Sequence, residues 1–187
     1  YLDVAENLLS FIEQKFLRNG EMYFASSQAA DQEYFSLAKT ERTATASPPT
    51  DSTMLLDASA QTISLFLFAS WLLDNKHYED LALNCLNFVW TEMWDQTQGV
   101  HHYWDNTPHV TGLVQDNALL CKALLDAFQI TGQKTYFDKA LNVATVIENH
   151  FRSEDSTGYY DLAEEHDNLG YLRYRRQPLA ENAIVAD

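Results

Sequence analysis

Apolar residues recur at helical spacing in two alternating kinds of segment. The first kind opens on Tyr, with an acid at its third position and Ala at its fifth: YLDVAENLLSFI from Tyr1, YEDLALNCLNFV from Tyr78 and YFDKALNVATVI from Tyr136. The second kind is more apolar: MLLDASAQTISLFLFASWLL from Met54, GLVQDNALLCKALLDAFQI from Gly112 and PLAENAIVAD from Pro178. This spacing predicts an alternation of two helix types. Because a helix that is apolar on all sides must be buried, the first type should cover the second.

Each Tyr-led segment is followed by a similar ending. A large apolar residue precedes a polar stretch with one Gly, and two or three aromatic or His residues come next, as in FLRNGEMYF, MWDQTQGVHHYW and FRSEDSTGYYD. We interpret Gly20, Gly99 and Gly158 as equivalent positions where the helix stops or turns. The aromatic residues after each Gly predict a short extended segment or a tight hairpin.

The repeat unit predicts an all-α fold. The Tyr-led segments start 77 and 58 residues apart (78 − 1 and 136 − 78), and a unit of about 60 residues exceeds the roughly 34 to 47 of tetratricopeptide and HEAT repeats. Helical hairpins stacked round a common axis fit this unit. We therefore expect a partial ring of about three hairpins, half of an (α/α)6 toroid. Residues 38–53 (AKTERTATASPPTDST), which lengthen the first unit, predict an exposed loop.

The charge balance narrows the range of partners. The chain carries 12 Lys and Arg against 27 Asp and Glu, a net charge of −15. Binding to nucleic acid or to an anionic membrane needs clustered cations, so we expect neither. The longest apolar run, Ile63 to Leu73, has eleven residues and is too short to span a membrane. We interpret residues 1–187 as a single partial domain cut from a longer chain, because it begins at Tyr1 and ends within a predicted helix. With no visible signal peptide, we expect a cytoplasmic location.

The sequence predicts no disulfide framework, metal site or cofactor site. Cys85 and Cys121 stand alone inside apolar helical segments, which predicts two buried free thiols. His101, His102 and His109 lack the spacing of zinc ligands. The chain has no Walker, G-x-G-x-x-G, G-x-S-x-G or H-E-x-x-H motif.

Three acids begin the more apolar helices: Asp57, Asp116 and Glu181, which are 59 and 65 residues apart. If the inner helices run parallel, their first turns gather at one mouth of the ring and the carboxylates converge. Paired carboxylates perform glycoside hydrolysis, where one protonates the leaving oxygen and the other activates water or attacks. Close carboxylates also raise each other's pKa. The alternative is structural, because the helix dipole and the unpaired N–H groups stabilise any acid in a first turn.

Aromatic and His residues follow the second Tyr-led helix in the segment HHYWD, residues 101–105. Alternation along an extended segment places His102 and Trp104 on one face. Tyr160 lies in the corresponding segment after the third helix. Flat aromatic faces suit sugar rings and His is the usual proton carrier, so we expect His102, Trp104 and Tyr160 to bind substrate at the cavity rim. The alternative is that these side chains only close the end of the ring.

One basic patch, YLRYRR from Tyr171 to Arg176, stands out in the acidic chain. A hairpin of 159–162 with 171–174 would place Arg173 and Arg175 on one face. Guanidinium groups suit a carboxylate or a phosphate, so Arg175 is a candidate contact for an anionic sugar. In the alternative, the arginines pair with the nearby acids Glu164, Glu165 and Asp167.

The chain from Leu55 onward resembles the C-terminal helical domain of the thioredoxin-domain-containing family that includes spermatogenesis-associated protein 20. Gly112–Phe128 (GLVQDNALLCKALLDAF) is similar to that family's G-x-x-(E/Q)-D-Y-A-x-L-(I/C)-x-A-L-L-x-L motif. Thr131–Ala140 (TGQKTYFDKA) is similar to its T-G-x-x-x-Y-L-x-x-A motif, and Gln177–Ala186 (QPLAENAIVA) to a loop-to-helix motif with a central Asn, here Asn182. The resemblance implies a six-hairpin glycosidase-like toroid attached to a thioredoxin-like domain.

Two functions fit these observations. The first is a carbohydrate-active or carbohydrate-binding toroid, a glycosidase-like hydrolase or a sugar epimerase if it is an enzyme. Its catalytic residues would be Asp57, Asp116 and Glu181, and Asn182 would contact the sugar. The second is a non-catalytic helical interaction module. In either case a half ring leaves inner helices uncovered at its two ends, so we expect the partial ring to self-associate.

Overall fold

The long helices of the computed structural model follow the predicted alternation. The structure describes residues 1–18, 20, 22–29, 31–155, 157–164 and 174–186. The helices are α1 (Leu2–Phe16), α2 (Gln32–Ser36), α3 (Lys39–Ala44), α4 (Leu56–Leu72), α5 (Lys76–Phe88), α6 (Val114–Thr131), α7 (Lys134–Phe151) and α8 (Leu179–Ala186). A π-helical turn, Val89–Met93, extends α5. The strands are β1 (Leu17–Arg18), β2 (Tyr23–Phe24), β3 (Ser27–Gln28), β4 (Thr50–Asp51), β5 (Met54–Leu55), β6 (Trp94–Asp95), β7 (Gly99–Val100), β8 (Tyr103–Trp104) and β9 (Pro108–His109).

Tight turns join α4 to α5 and α6 to α7. The side chain of Asn75 accepts a hydrogen bond from the backbone N–H of His77 (3.1 Å), which caps the start of α5. Gly132 ends α6 in the left-handed conformation, with φ 67°. Each pair therefore folds back as a helical hairpin.

Three helices form an inner layer and two others cover it. α4 packs against α6 and α6 against α8, whereas α5 lies on α4 and α7 lies on α6. The covering helices bury one stripe each; that of α7 consists of Ala140, Val143, Val146, Ile147 and Phe151. This stripe has the spacing of an amphipathic helix, and for α5 and α7 the prediction that Tyr-led helices cover the more apolar ones is confirmed.

Short antiparallel pairings follow the three Tyr-led helices in the same register. β1 pairs with β2, β6 pairs with β7, and a single bridge forms at the matching place after α7. The matching residues on the returning side are Phe24, Val100 and Tyr159. The residues just before them are Tyr23, Gly99 and Gly158. Gly20 lies three residues before Tyr23, so its predicted equivalence with the other two glycines is wrong.

Helix α4 is apolar all round but is covered on one side only. Its exposed large side chains are Leu65, Phe68, Trp71 and Leu72. The elements packed against α4 in the described part of the chain leave this side open, as is expected of an inner helix at the end of a partial ring. None of the described helices combines the length and the apolar content that a membrane crossing requires.

Residues 38–53 are mostly exposed, but they are not a plain loop. They contain α3 and β4, and β4 pairs with β3. The carboxylate of Glu41 accepts a hydrogen bond from the backbone N–H of Ala38 (2.8 Å) and thereby caps α3. Local hydrogen bonds of this kind stabilise a short helix that the Thr- and Ser-rich composition does not predict.

Both cysteines are free thiols. Cys85 is buried as predicted, whereas Cys121 is partly exposed. Burial raises the pKa of Cys85 to about 12 and that of Cys121 to about 11. Both side chains therefore stay protonated and weakly nucleophilic.

Candidate functional site

A cavity of about 230 Å³ opens where the inner helices begin. Its lining comes from the first turns of α4, α6 and α8 and from the loops beside them: Asp57, His102, Leu113, Val114, Gln115, Asp116, Asp161, Leu162 and Glu181. The three acids expected from the sequence therefore share one cavity. Their convergence follows from the side-by-side packing of α4, α6 and α8 with their first turns at the same end.

A buried carboxylate and an imidazole are paired at this cavity. Asp116 Oδ2 lies 2.9 Å from His102 Nδ1. Only 1% of the Asp116 surface is exposed, whereas 32% of the His102 side chain is accessible. Because the carboxylate engages Nδ1, Nε2 is the ring nitrogen that remains without a hydrogen-bond partner among the described residues.

The loop between β7 and β8 holds His102 by its main chain. Its N–H donates to the carbonyls of Val110 (2.7 Å) and His109 (3.1 Å), and its carbonyl accepts from Leu56 N–H (2.8 Å). The last bond satisfies an N–H group in the first turn of α4. Val110 has a φ of 58°, a backbone conformation that is rare for a β-branched residue. The main chain at His102 is thus held from both sides, by the strained segment at Val110 and by the first turn of α4.

Burial and pairing shift the pKa of both groups. Burial raises the pKa of Asp116, and the hydrogen bond to His102 opposes this. The hydrogen bond to Asp116 raises the pKa of His102, and burial opposes it. Asp57 adds an electrostatic contribution that raises the pKa of both. An imidazole with this pairing can exchange a proton near neutral pH, which is what general acid–base catalysis needs.

The three acids do not occupy equivalent helical positions. Leu56 N–H of α4 donates to the His102 carbonyl in the loop after α5, and Val114 N–H of α6 donates to the Asp161 carbonyl after α7, so Leu56 and Val114 are equivalent positions. Asp57 therefore matches Gln115, one residue before Asp116, and the predicted common phase is wrong for Asp57. Gln115 Nε2 donates to Asp57 Oδ2 at 3.4 Å, which connects the first turns of the two neighbouring helices.

Asn117 joins α6 to the antiparallel β6–β7 pair, here called the β6–β7 ribbon. We call this arrangement the Gly–Asn clasp. Its Oδ1 accepts from Val100 N–H (3.2 Å) and its Nδ2 donates to the carbonyl of Leu113 (2.9 Å). The side chain is fully buried. A Cβ at Gly99 would lie 2.4 Å from Asn117 Oδ1, so only glycine leaves room for the clasp.

The same clasp recurs at α8 with Asn182. Its Oδ1 accepts from Tyr159 N–H (2.7 Å), and its Nδ2 donates to the carbonyls of Tyr159 (2.9 Å) and Pro178 (2.8 Å). A Cβ at Gly158 would lie 2.6 Å from Asn182 Oδ1. Asn182 is absent from the cavity lining and its polar atoms bond the main chain. The structure therefore gives Asn182 a role in the fold, and its contact with a sugar stays a prediction.

The first unit lacks both halves of the clasp. Ser59 matches Asn117, and its Oγ donates to the carbonyl of Phe24 (3.1 Å). Tyr23 stands where the other units have Gly. Ser59 has a shorter side chain than Asn117 and no amide oxygen. The Cβ of Tyr23 therefore avoids the close contact that a Cβ at Gly99 would make. Among the three repeat units of this chain, the two that have the Gly also have the Asn, and the unit that lacks the Gly lacks the Asn as well.

Trp104 packs within the fold and lies outside the cavity lining. Its ring meets the edge of Phe88 with 5.3 Å between centroids, and its strand β8 pairs with β5. The alternative interpretation, in which aromatic side chains close the end of the ring, describes Trp104 better than a sugar contact does. The two histidines of this segment have different partners: His101 Nδ1 bonds the carbonyl of Met93 (2.9 Å), and His102 Nδ1 bonds Asp116 Oδ2 (2.9 Å).

Arg175 and Tyr160 contact each other and are absent from the cavity lining. The Arg175 Cζ atom lies 4.1 Å from the centre of the Tyr160 ring. Its Nε donates to the carbonyl of Leu162 (2.9 Å) and its terminal N–H to that of His150 (3.1 Å). Arg175 thus uses these donors within the fold, and its contact with an anionic sugar stays a prediction. The remaining residues of that prediction lie outside the described ranges: Glu165, Asp167, Tyr171 and Arg173.

Asp161 is a cavity residue that the sequence interpretation missed. It stands in the position of His102 one unit later, because its carbonyl accepts from Val114 N–H (3.0 Å) as that of His102 accepts from Leu56. Its Oδ1 accepts from Arg176 N–H (2.7 Å). Aligning the endings of the second and third units on Gly99 and Gly158 would have found it. Within the described ranges, no three His, Cys, Asp or Glu side chains are arranged to hold a metal ion.

No protein-family model matches the chain, and no curated protein matches its sequence. Solved structures do resemble it. A sugar epimerase from a ruminal bacterium is 12% identical and superposes with a TM-score of 0.69 over 99% of this chain and 47% of its own. The cellobiose 2-epimerase of Spirochaeta thermophila is 12% identical (TM-score 0.67, 86% of this chain and 43% of its own). An unsaturated glucuronyl hydrolase specific for heparin is 13% identical (TM-score 0.65, 97% and 46%).

The chain spans less than half the length of each of these structures. At such low identity the likeness establishes the fold alone. Together with the alternating inner and covering helices, it makes the chain part of an α/α toroid of the six-hairpin glycosidase type.

Proposed function

We propose that this chain forms the sugar site of a carbohydrate-active α/α toroid. The observation that carries the proposal is the 2.9 Å hydrogen bond between buried Asp116 and His102, at a cavity that Asp57 and Glu181 also line. The fold adds support, because the similar structures are a sugar epimerase, a cellobiose 2-epimerase and an unsaturated glucuronyl hydrolase.

In the proposed chemistry His102 exchanges a proton with the bound sugar. With Asp116 ionised, Nδ1 donates to the carboxylate and Nε2 accepts the proton. Asp116 then stabilises the imidazolium that forms. Glu181, from a different helix, supplies a second acid or base. Two proton-transferring groups at one sugar ring serve a hydrolase or an epimerase, so the proposed reaction class is acid–base catalysis at a sugar.

A thermal-shift assay with a panel of neutral monosaccharides and disaccharides tests this proposal. A sugar present at ten times its Kd should stabilise the folded protein by about 1.4 kcal/mol, which raises Tm by about 3–6 °C. Asp116→Asn and Glu181→Gln should lose this sugar-induced shift. Asp126→Asn is the matched control, because Asp126 lies on α6 but pairs with Lys122 away from the cavity. An unchanged Tm with every sugar would reject the proposal.

A second candidate function, a non-catalytic helical interaction module, is supported by the open side of α4. Phe68 and Trp71 are exposed there, with 5.9 Å between their ring centroids. Apolar surface of this kind marks an interaction site or promotes association. The sequence resemblance extends this proposal to a longer protein in which the module follows a thioredoxin-like domain, and the full reading frame of the gene tests that extension.

Self-association through this side of α4 is the expected result for the chain alone. Sedimentation velocity should show a weight-average mass that rises with protein concentration. Trp71→Glu should suppress the rise, because it places a charge in the apolar surface. Phe35→Ser is the control, since Phe35 is similarly exposed but lies on α2. A single monomeric species at all concentrations would contradict the expectation.

A further inference from the structure

We infer that the cavity selects sugars by charge, so that it binds a sugar with an ammonium group more tightly than a neutral sugar and rejects a uronate. This inference rests on the proposed function and adds the class of ligand. The lining carries four carboxyl groups, those of Asp57, Asp116, Asp161 and Glu181. Among the described residues, His102 is the basic side chain that lines the cavity.

The basic side chains of Arg175, Arg176 and Lys122 are absent from the cavity lining. Arg175 donates to main-chain carbonyls and stacks on Tyr160. Arg176 is exposed and offers its backbone N–H to Asp161. Lys122, farther along α6, pairs with Asp126 (3.0 Å). In the described part of the chain, none of these cations lines the cavity to receive a sugar carboxylate.

Charges inside the cavity are screened less than charges on the open surface. Asp116 is almost inaccessible to water, and salt screens buried charges less than exposed ones. A protonated His102 offsets one carboxylate, which leaves the lining net negative. Like charges repel and opposite charges attract more strongly at the lower effective dielectric of such a site. A uronate is therefore disfavoured and an ammonium group is favoured.

The size of the cavity makes the charge of a single sugar ring decisive. Its volume of about 230 Å³ lies below the roughly 300–1,000 Å³ of sites for drug-sized ligands. One pyranose ring fits such a volume, so a charged substituent on that ring lies close to the carboxylates. In an oligosaccharide whose charged group lies several rings from the ring in the cavity, that charge would have little effect on the affinity.

Three monosaccharides of similar size test the inference: D-glucosamine, D-glucose and D-glucuronate, each titrated calorimetrically against the whole chain. Glucosamine should bind about tenfold more tightly than glucose, and glucuronate at least about tenfold more weakly, at an ionic strength of about 10 mM. Both differences should shrink at about 0.5 M salt, because the Debye length falls.

Asp161→Asn separates charge from shape. The Asn carbonyl can still accept the hydrogen bond from Arg176 N–H, so the loop is preserved while one negative charge is lost. The preference for glucosamine over glucose should fall about threefold in this variant. Asp126→Asn removes a charge from the same chain outside the cavity and should leave the preference as it is.

The outcomes distinguish the two levels of the proposal. If glucose binds but glucuronate binds equally well or better, the charge selection is wrong and the sugar site stands. If the preference for glucosamine is the same in Asp161→Asn as in the unaltered chain, the lining is not its source and the inference also fails. If none of the three sugars binds although another sugar of the thermal-shift panel does, the charge selection fails and the sugar site stands; if the whole panel also fails, both fall.

Discussion

Gly99→Ala is expected to destabilise the folded protein by about 3 kcal/mol or more. Gly99 has φ +86°, a conformation that costs a residue with a Cβ about 1–2 kcal/mol. The added Cβ would also lie 2.4 Å from Asn117 Oδ1. Asn117 cannot move aside without breaking its two hydrogen bonds, whose loss in a buried site costs about 1–3 kcal/mol. Urea denaturation followed by circular dichroism measures the loss.

Three other glycines provide matched controls. Gly158 has the close contact with Asn182 but no positive φ, Gly132 has a positive φ (+67°) but no atom within 4 Å, and Gly20 has neither. Alanine substitutions should therefore rank Gly99 first, Gly158 and Gly132 next, and Gly20 last. A Gly99→Ala protein as stable as Gly132→Ala would show that the clasp with Asn117 does not constrain the ribbon.

Asp116→Asn is expected to lower the pKa of the His102 imidazole. The hydrogen bond to the Asp116 carboxylate is the largest cause that raises this pKa, and its removal leaves burial acting in the opposite direction. The protonated fraction of His102 near neutral pH should drop. An NMR titration of the imidazole resonances measures both proteins, and Asp126→Asn should titrate at His102 as the unaltered chain does.

The same pair sets a pH dependence of stability. The raised pKa of His102 contributes stability that is complete below the unfolded value of about 6.5 and is lost as pH rises through the folded value. The raised pKa of Asp116 acts with the same sign, from its unfolded value of about 3.9 upward. The free energy of unfolding should therefore fall with rising pH more steeply than in Asp116→Asn. Parallel pH profiles for the two proteins would contradict the pairing.

The repeat pattern predicted the helical architecture because each turn of a helix must place an apolar residue on its buried face, which leaves a periodic pattern in the sequence. The antiparallel pairings that follow the three Tyr-led helices begin at the same distance from Tyr1, Tyr78 and Tyr136. The more apolar segments form α4, α6 and α8. The convergence of Asp57, Asp116 and Glu181 followed from that architecture, since helices packed with their first turns at one end bring those turns together.

The details of the site depended on shifts of one to three residues that composition does not encode. Asp57 is one residue out of phase with Asp116, and Gly20 lies three residues before the position of Gly99. Loop length can change by one residue without altering the hydrophobic pattern, so register becomes visible only in the hydrogen bonds. Asn182 shows a second limit of prediction from sequence. An Asn whose side chain hydrogen-bonds the main chain cannot be distinguished, from its position in the sequence, from an Asn that binds a sugar.

The side-chain NMR signals of His102 during a titration with a sugar that the thermal-shift panel selects test the central claim most directly. The imidazole nitrogens of His102 should shift saturably with the sugar, while those of His77 on α5, which bonds Glu13 on α1 (2.8 Å), should stay in place. Asp116→Asn should weaken the response. Sugar binding that leaves His102 unperturbed, or that shifts His77 equally, would contradict a sugar site built on the Asp116–His102 pair.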